Sequence, residues 1–269
     1  MNFIQSVLLG ILQGLTEFLP VSSSGHLVLA QHFLKMDTQS NLTFDILLHF
    51  GSVLAVVIYF WRDIYHLIIS LFRWSPNSAR DSRNHWFALY FVIATLVTGI
   101  VGFTFKDFFE QQFGDPFIVA LMLIITGAVI YISDIIPTSS RRIEQMGFFR
   151  AVLIGLGQAI AIIPGISRSG TTISVSLFAG IQREDAARFS FLLSIPAILG
   201  ASLSEFKEIM NIQANQIAPY IGGIVAAFVS GYLVIAILLE IIRQKKLRYF
   251  SFYCWLVAIV SIVFLMKGY

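Results

Sequence analysis

Residues 13–26 read QGLTEFLPVSSSGH, a polar stretch that lies inside apolar sequence. It combines the carboxylate of Glu17 with an amide, three consecutive hydroxyls and the imidazole of His26, and Pro20 interrupts it. Irregular polar backbone is costly at membrane depth unless it lines a cavity or is buried in protein. We therefore interpret this stretch as a functional site.

A second stretch, residues 155–170, reads GLGQAIAIIPGISRSG and repeats the first at an offset of 145 positions. At this offset the following pairs are identical: Gly10 and Gly155, Gln13 and Gln158, Ser22 and Ser167, Ser24 and Ser169, Gly25 and Gly170. Ser23 aligns with Arg168, and Glu17 aligns with Ile162. These matches predict an internal duplication in which one copy kept an acid, a serine and a histidine while the other offers an arginine.

The composition is that of a polytopic membrane protein and excludes a soluble globular domain. The chain has 269 residues, of which 57% are hydrophobic and 12% charged, with a mean hydropathy of +0.81. Soluble domains carry about 25% charged residues. The single cysteine, Cys254, allows no intrachain disulfide. The N-terminus has neither the basic region nor the cleavage site of a secretory signal.

The apolar runs predict an all-α membrane fold, a single integral membrane domain with six transmembrane helices and two re-entrant helical hairpins. The six spans are predicted at residues 44–61, 86–103, 116–133, 187–204, 218–240 and 250–266, with a loop at 62–85. The hairpin arms are predicted at residues 3–12 with 25–34, and 151–163 with 170–180. A spanning helix needs about 20 residues, so these arms are too short to cross alone. One long kinked span is the alternative to each hairpin.

This layout also predicts an inverted internal repeat. The halves, about 1–135 and 146–269, each hold one hairpin and three spans. Because three is odd, the second half must be inverted relative to the first, as in many membrane proteins with broken helices.

Basic residues predict the orientation. Of the 18 Lys and Arg residues, 13 lie in the loops 62–85, 134–150, 180–188 and 241–249. Four lie on the opposite side: Lys35, Lys106, Lys207 and Lys267. Cytoplasmic loops carry an excess of Lys and Arg, so both termini are predicted outside. The first hairpin then enters from outside and the second from inside, and their tips meet within the bilayer.

The polar groups of the two tips suggest a phosphate cradle. Gln13 and Glu17 are four apart and share a helix face, and Ser23 and His26 are neighbours if helix resumes after the break. A new helix start at Ser24-Gly25 offers backbone N–H groups that suit an anion. Residues 167–170 repeat that arrangement and add the guanidinium of Arg168, which pairs bidentately with phosphate.

Simpler interpretations compete for several of these residues. The hydroxyls of Ser22 and Ser24 can bond the preceding helical turn, and Gly10 and Gly155 can serve helix packing. His49, in the first span, can be a satisfied interior histidine. Glu17 and Arg168 can be a structural ion pair, although charge at bilayer depth is by default a functional-site hypothesis.

The first stretch and the run PGISRSG at residues 164–170 resemble the two signatures of the bacitracin-resistance-type undecaprenyl-diphosphatases, over essentially the whole chain. The resemblance implies a bacterial plasma-membrane enzyme with its site open to the outer face. It implies removal of the terminal phosphate of undecaprenyl diphosphate, which regenerates the lipid carrier for peptidoglycan synthesis and confers bacitracin resistance. It also implies dependence on a divalent cation, with Mg²⁺ expected and Ca²⁺ as the alternative.

Carried over position by position, the resemblance implies catalytic roles for Glu17, Ser23, His26 and Arg168. Glu17 is also the implied metal ligand. The substrate-binding residues it implies are Gln13, Ser22, Ser24, Gly25, Ser167, Ser169, Gly170 and Thr172. Gln13 departs from the commonest pattern, where this position is a glutamate, which puts a two-carboxylate metal site in doubt. With few protein ligands, the ion would rely on Glu17, substrate phosphates and water, as Mg²⁺ commonly does.

Two questions stay open at the level of sequence. The nucleophile is either Ser23, activated by His26, or a water positioned by His26 and Glu17, and only the first forms a phosphoenzyme. The alternative function is a secondary transporter or flippase for an anionic lipid head group, since inverted repeats with broken helices are typical of transporters. The expected partners are a polyprenyl diphosphate lipid and the bilayer, with no nucleic acid. A homodimer is an open alternative for the assembly.

Overall fold

The computed structural model describes residues 2–36, 42–72, 79–112, 115–137, 139–204 and 213–267. Within these ranges the chain is helical and forms no β-strand. The α-helices are α1 Phe3–Phe18, α2 Ser23–Phe33, α3 Leu42–Tyr59, α4 Trp61–Phe72, α5 Ala79–Thr104, α6 Lys106–Gln111, α7 Pro116–Ile135, α8 Phe148–Ile160, α9 Arg168–Phe178, α10 Arg183–Ser204, α11 Ala214–Arg243 and α12 Arg248–Met266. Arg73 and Lys207, two of the basic residues counted above, lie outside the described residues.

Among the described residues, five helices are long and apolar enough to cross a membrane, which makes this a multi-pass membrane protein. Their spanning segments are Ser82–Thr104, Pro116–Ile135, Arg183–Leu203, Ala214–Arg243 and Arg248–Met266. A sixth candidate is the bent pair α3 and α4, whose axes differ by 83°. Five of the predicted spans thus coincide with long helices, and the first coincides with α3.

The predicted loop at 62–85 is wrong, because α4 and the first turns of α5 fill most of it. The arginines of this segment suggested a loop. In α4, however, Arg62, Asp63 and His66 fall on one face, and the exposed side chains of Trp61 and Tyr65 fall on another. Helices with this pattern commonly lie in the interface plane of a membrane.

Both predicted hairpins are pairs of short helices that pack against each other, α1 with α2 and α8 with α9. The side chain of Asn2 caps α1 by accepting a hydrogen bond from the Gln5 N–H at 2.8 Å. The break between α1 and α2 contains Pro20, and the break between α8 and α9 contains Pro164. Proline has no N–H to continue a helix, so these breaks follow from the sequence.

The hairpins pack on the spans through glycines. A Cβ atom on Gly10 would lie 2.2 Å from the carbonyl oxygen of Gly223 on α11. A Cβ atom on Gly155 would lie 2.7 Å from the carbonyl oxygen of Ala94 on α5. The packing interpretation of both glycines is therefore confirmed, and each hairpin is held by a helix of the other half of the chain.

A buried ion pair joins three helices at one end of the molecule. Arg183 on α10 donates from Nη1 to Asp134 Oδ1 on α7 at 2.6 Å and from Nη2 to the Asp134 carbonyl at 2.9 Å. The backbone N–H of Arg248, at the start of α12, donates to Asp134 Oδ2 at 3.1 Å. Because both carboxylate oxygens of Asp134 accept hydrogen bonds, the buried negative charge of Asp134 is compensated.

Candidate active site

The second helix of each hairpin, α2 or α9, begins with the same capping arrangement. The Ser22 hydroxyl accepts a hydrogen bond from the Gly25 N–H at 3.2 Å. The Ser167 hydroxyl accepts one from the Gly170 N–H at 3.0 Å. The N–H groups of these two glycines are therefore taken by the serine caps, each of which satisfies one N–H of its first turn. That the other N–H groups of these helix starts bind an anion stays a prediction. Ser24 and Ser169 lie beside the caps, with hydroxyl distances of 3.4 Å to Ser22 and 3.3 Å to Ser167.

The tips contact one another directly. The Ser169 hydroxyl donates to the Leu19 carbonyl in the first break at 3.1 Å. At Gly25, a Cβ atom would lie 3.0 Å from the Cα of Gly165 in the second break. Ser169 and Leu19 are 150 positions apart in the chain. The two tips therefore form one site.

Glu17 is the centre of this site, and it is 6% exposed. Its Oε1 accepts a hydrogen bond from Arg168 Nη2 at 2.7 Å. Its Oε2 accepts from the Ser23 hydroxyl at 2.6 Å and from Gln13 Nε2 at 2.9 Å. The predicted shared face of Gln13 and Glu17 is confirmed. The structure brings four predicted site residues into one hydrogen-bonded cluster, Gln13, Glu17, Ser23 and Arg168.

Arg168 is held in place by the neighbouring helix. Its Nη1 donates to the Ser190 carbonyl on α10 at 3.0 Å. Thr172, one turn further along α9, is bonded to the Arg168 carbonyl at 2.8 Å and lies 2.6 Å from the Ser190 hydroxyl. Thr172 therefore positions the start of α9 against α10, and its predicted contact with substrate stays a prediction.

Both ring nitrogens of His26 contact groups other than the Ser23 hydroxyl. Its Nδ1 lies 2.7 Å from the Ser22 carbonyl, and because a carbonyl only accepts, Nδ1 carries the hydrogen. Its Nε2 lies 2.9 Å from the Tyr253 hydroxyl on α12, and the two rings are stacked at 5.5 Å. Ser23 and His26 were predicted to interact as neighbours on one helix. The Ser23 hydroxyl donates to Glu17 and not to His26.

Sequence reasoning missed two residues that border the site, His49 and Tyr253. His49 Nε2 lies 3.5 Å from Glu17 Oε2, and His49 Nδ1 lies 2.8 Å from the Asp45 carbonyl. His49 had been interpreted as an interior histidine of the first span. Neither residue lies near the polar stretches in sequence, so only the packing of α3 and α12 against the tips reveals them.

The groups at this site that could hold a hard divalent cation are the oxygens of Glu17, Gln13 and Ser23. In the described residues there is no group of three or more His, Cys, Asp or Glu side chains that could hold a metal. Gln13 Oε1 is buried and makes no hydrogen bond, while Nε2 of the same amide donates to Glu17 Oε2. Carboxylate, amide and hydroxyl oxygens are the ligands that Mg²⁺ and Ca²⁺ prefer.

Comparison with known proteins gives a family match over nearly the whole chain. The model of the family described as bacitracin resistance protein BacA matches residues 6–260. The chain belongs to the BacA family. This confirms the resemblance drawn from the two signature stretches.

Several relatives of this BacA-family chain carry the name undecaprenyl-diphosphatase. The protein of Syntrophotalea carbinolica is 44% identical over 256 residues, which cover 95% of this chain and 96% of that protein. The protein of Halothermothrix orenii is 42% identical over 265 residues, 98% of each chain. The protein of Methanobrevibacter smithii is 42% identical over 272 residues, 97% of this chain and 96% of its own length.

Proposed function

We propose that this BacA-family protein hydrolyses undecaprenyl diphosphate to undecaprenyl phosphate and inorganic phosphate. The observation that carries the proposal is the buried cluster of Glu17, Ser23 and Arg168 at the meeting point of the two tips. It joins a carboxylate, a hydroxyl and a guanidinium, the groups that phosphoryl transfer needs. The reaction recycles the lipid carrier for peptidoglycan and other wall polymers, and it confers resistance to bacitracin.

In the proposed first step, the Ser23 hydroxyl attacks the terminal phosphorus of the diphosphate. Its proton passes to Glu17 Oε2, which already accepts it at 2.6 Å. A bond forms between Ser23 Oγ and phosphorus, and the bond to the bridging oxygen breaks, so undecaprenyl phosphate leaves. The geometry supports Glu17 as the base for Ser23 in place of His26.

In the proposed second step, water hydrolyses the phosphoserine. His26 Nε2, the unprotonated ring nitrogen of the tautomer described above, accepts the water proton once the Tyr253 hydroxyl turns aside. The water oxygen attacks phosphorus, and Ser23 Oγ leaves and regains a proton from Glu17. Inorganic phosphate is released, and the starting protonation is restored when the proton on His26 is lost to solvent.

Arg168 is proposed to hold the oxygens of the transferring phosphate. Its side chain is 15% exposed, and Ser190 fixes one of its nitrogens. Charge that develops on these oxygens is stabilised by a donor that is already oriented. Ser24, Ser169 and the remaining tip residues are proposed to border the bound diphosphate.

A divalent cation, Mg²⁺ or Ca²⁺, is proposed as the cofactor, held by Glu17 and by Gln13 Oε1 once the Gln13 amide turns from its hydrogen bond to Glu17. When bound, the ion supplies positive charge that neutralises the diphosphate oxygens. Because Gln13 replaces a second carboxylate, the protein ligands carry one negative charge only, which fits an ion that keeps substrate oxygens and water as ligands.

The proposed topology has six spans and two re-entrant hairpins in inverted halves, with the site open to the outer face and both termini outside. Three features that recur at equivalent positions support the repeat: the caps at Ser22 and Ser167, the packing of Gly10 and Gly155, and the buried free amide oxygens of Gln13 and Gln158. The bias of basic residues supports the orientation.

The direct test is phosphate release from undecaprenyl diphosphate by purified protein in detergent. We expect release in the presence of Mg²⁺ and a loss of at least about 100-fold when a chelator removes the ion, with recovery when Mg²⁺ is restored. Transport needs a sealed membrane, whereas hydrolysis does not. No release from well-folded protein would contradict the proposal and favour a transporter.

Ser23→Ala is expected to lower the rate about 100-fold, because a water that takes the place of the missing hydroxyl is less well held than a side chain. After incubation with substrate radiolabelled in the terminal phosphate and an acid quench, the wild-type protein should carry label and the variant none. A variant that retains nearly full rate, or a wild type that never carries label, would exclude the covalent route and leave water as the nucleophile.

A further inference from the structure

A basic cavity of about 380 Å³ lies away from the site described above. Its walls are α4, the start of α5, the 3-10 turn Ile143–Gln145 and the start of α10. Three of the four basic segments, 62–85, 134–150 and 180–188, therefore converge on one concave surface. None of the residues of the Glu17 cluster lines it.

The cavity holds four guanidinium groups, those of Arg62, Arg83, Arg142 and Arg188. Arg188 forms an ion pair with Asp63 and packs over the ring of Phe87 at 5.6 Å. The other three have no ion-pair partner within the part of the chain that the structure describes.

The acidic side chains of the cavity offset only part of the charge of its arginines. Asp63 is taken by Arg188, and Asp185 Oδ2 accepts a hydrogen bond from the Ile143 N–H at 3.0 Å. Glu144 is the remaining carboxylate, and His66 is the remaining titratable group. Four arginines against three carboxylates leave the cavity a net charge of +1 with His66 neutral and +2 with His66 protonated.

The wall formed by α4 has a second face that is suited to lipid. Trp61, Tyr65, Ile68 and Phe72 form an exposed apolar stripe, 58%, 57%, 49% and 84% exposed. Their spacing of three and four residues places them on one side of the helix. Arg62, His66 and Leu67 line the cavity from another side. With its stripe in the bilayer, α4 holds the mouth of the cavity at head-group level.

We propose that this cavity is a second binding site, which takes the phosphate head group of an anionic membrane lipid. Arginine binds phosphate oxygens through paired N–H donors, and basic pockets between transmembrane helices bind anionic head groups on the cytoplasmic side. The volume suits a head group, since small-molecule sites span about 300–1,000 Å³. A lipid is favoured over free phosphate because the apolar stripe of α4 lies directly beside the face of α4 that presents Arg62.

The site is separate from the catalytic cluster. His49, which borders Glu17, lies roughly 15 Å along the helix axis from the C-terminal end of α3. The residues that line the cavity lie beyond that end. One lipid can therefore occupy the cavity while substrate occupies the tips. The inference does not depend on the proposed chemistry at Glu17.

The test compares two variants that lose the same charge. Arg83→Gln/Arg142→Gln removes two exposed arginines of the cavity, and Lys246→Gln/Arg248→Gln removes two exposed basic residues elsewhere. Each protein is placed in phosphatidylcholine nanodiscs and titrated with a fluorescent phosphatidylglycerol. We expect the cavity variant to bind the probe about 10-fold more weakly than wild type, and the control variant to change by less than about 3-fold.

Three outcomes would overturn the proposal. Equal losses in both variants would show that the probe responds to general surface charge. Unchanged binding in the cavity variant would show that the probe binds elsewhere. Displacement of the probe by inorganic phosphate at matched concentration would show that the cavity takes free phosphate and gains nothing from a lipid. A monodisperse elution profile and an unfolding temperature equal to that of the wild type report that the cavity variant is folded, whether or not the proposed activity holds.

Discussion

Glu17→Gln will reduce phosphate release from undecaprenyl diphosphate by about 10⁴-fold, the largest loss that we expect from a single substitution. The change removes the acceptor of the Ser23 proton, the anionic metal ligand and the ion-pair partner of Arg168 at once. A general base alone contributes about 10²–10⁴-fold. The amide keeps the size of the side chain, so the loss reflects chemistry more than packing. Initial rates at saturating substrate and Mg²⁺ measure it.

Glu184→Gln is the matched control for this substitution. Glu184 also pairs with an arginine, Arg243 at 2.6 Å, but its side chain is 55% exposed. Exposed pairs contribute at most about 1 kcal/mol to stability, so this variant should keep its rate within about 3-fold. If Glu17→Gln, monodisperse and folded, kept more than a tenth of the wild-type rate, Glu17 would be a structural residue and the proposed base would be wrong.

The sequence predicts the helices and the breaks well because both have local causes. Apolar runs near 20 residues define spans, and Pro20 and Pro164 interrupt the hairpins wherever the rest of the chain lies. The shared face of Gln13 and Glu17 also follows from helix geometry alone. The duplication then implied that the two tips form one site, and the contact between Ser169 and Leu19 places them together.

Contacts between distant segments could not be predicted in the same way. His49 and Tyr253 reach the site from α3 and α12, and no spacing within the polar stretches points to them. The N–H of Gly25 looked available because local sequence does not say whether Ser22 turns inward to cap it. The segment 62–85 looked like a loop because its charges outweighed the amphipathic pattern that makes α4.

Arg168→Lys separates a catalytic role for Arg168 from a merely neutralising one. Lysine keeps the positive charge next to Glu17, but a single ammonium cannot reach Glu17 and the Ser190 carbonyl as the planar guanidinium does. We expect thermal stability to stay close to wild type while kcat falls about 10³-fold, the lower range for an arginine that stabilises a transferring phosphate. Thermal unfolding and initial-rate kinetics on the same preparation give both quantities.

Arg183→Lys provides the comparison, because Arg183 makes an equally short buried contact, at 2.6 Å, to Asp134. That pair joins α7 and α10 away from the tips, and a lysine there cannot make both Arg183 contacts to Asp134, whereas Glu17 keeps Ser23 and Gln13 as donors. Arg183→Lys should therefore lower the unfolding temperature and leave kcat within about 3-fold of wild type. The two lysine variants should therefore show opposite patterns of stability and rate. If Arg168→Lys instead lost stability and kept its rate, the Glu17–Arg168 contact would be a structural ion pair, and the phosphate would have to be held by other groups at the tips.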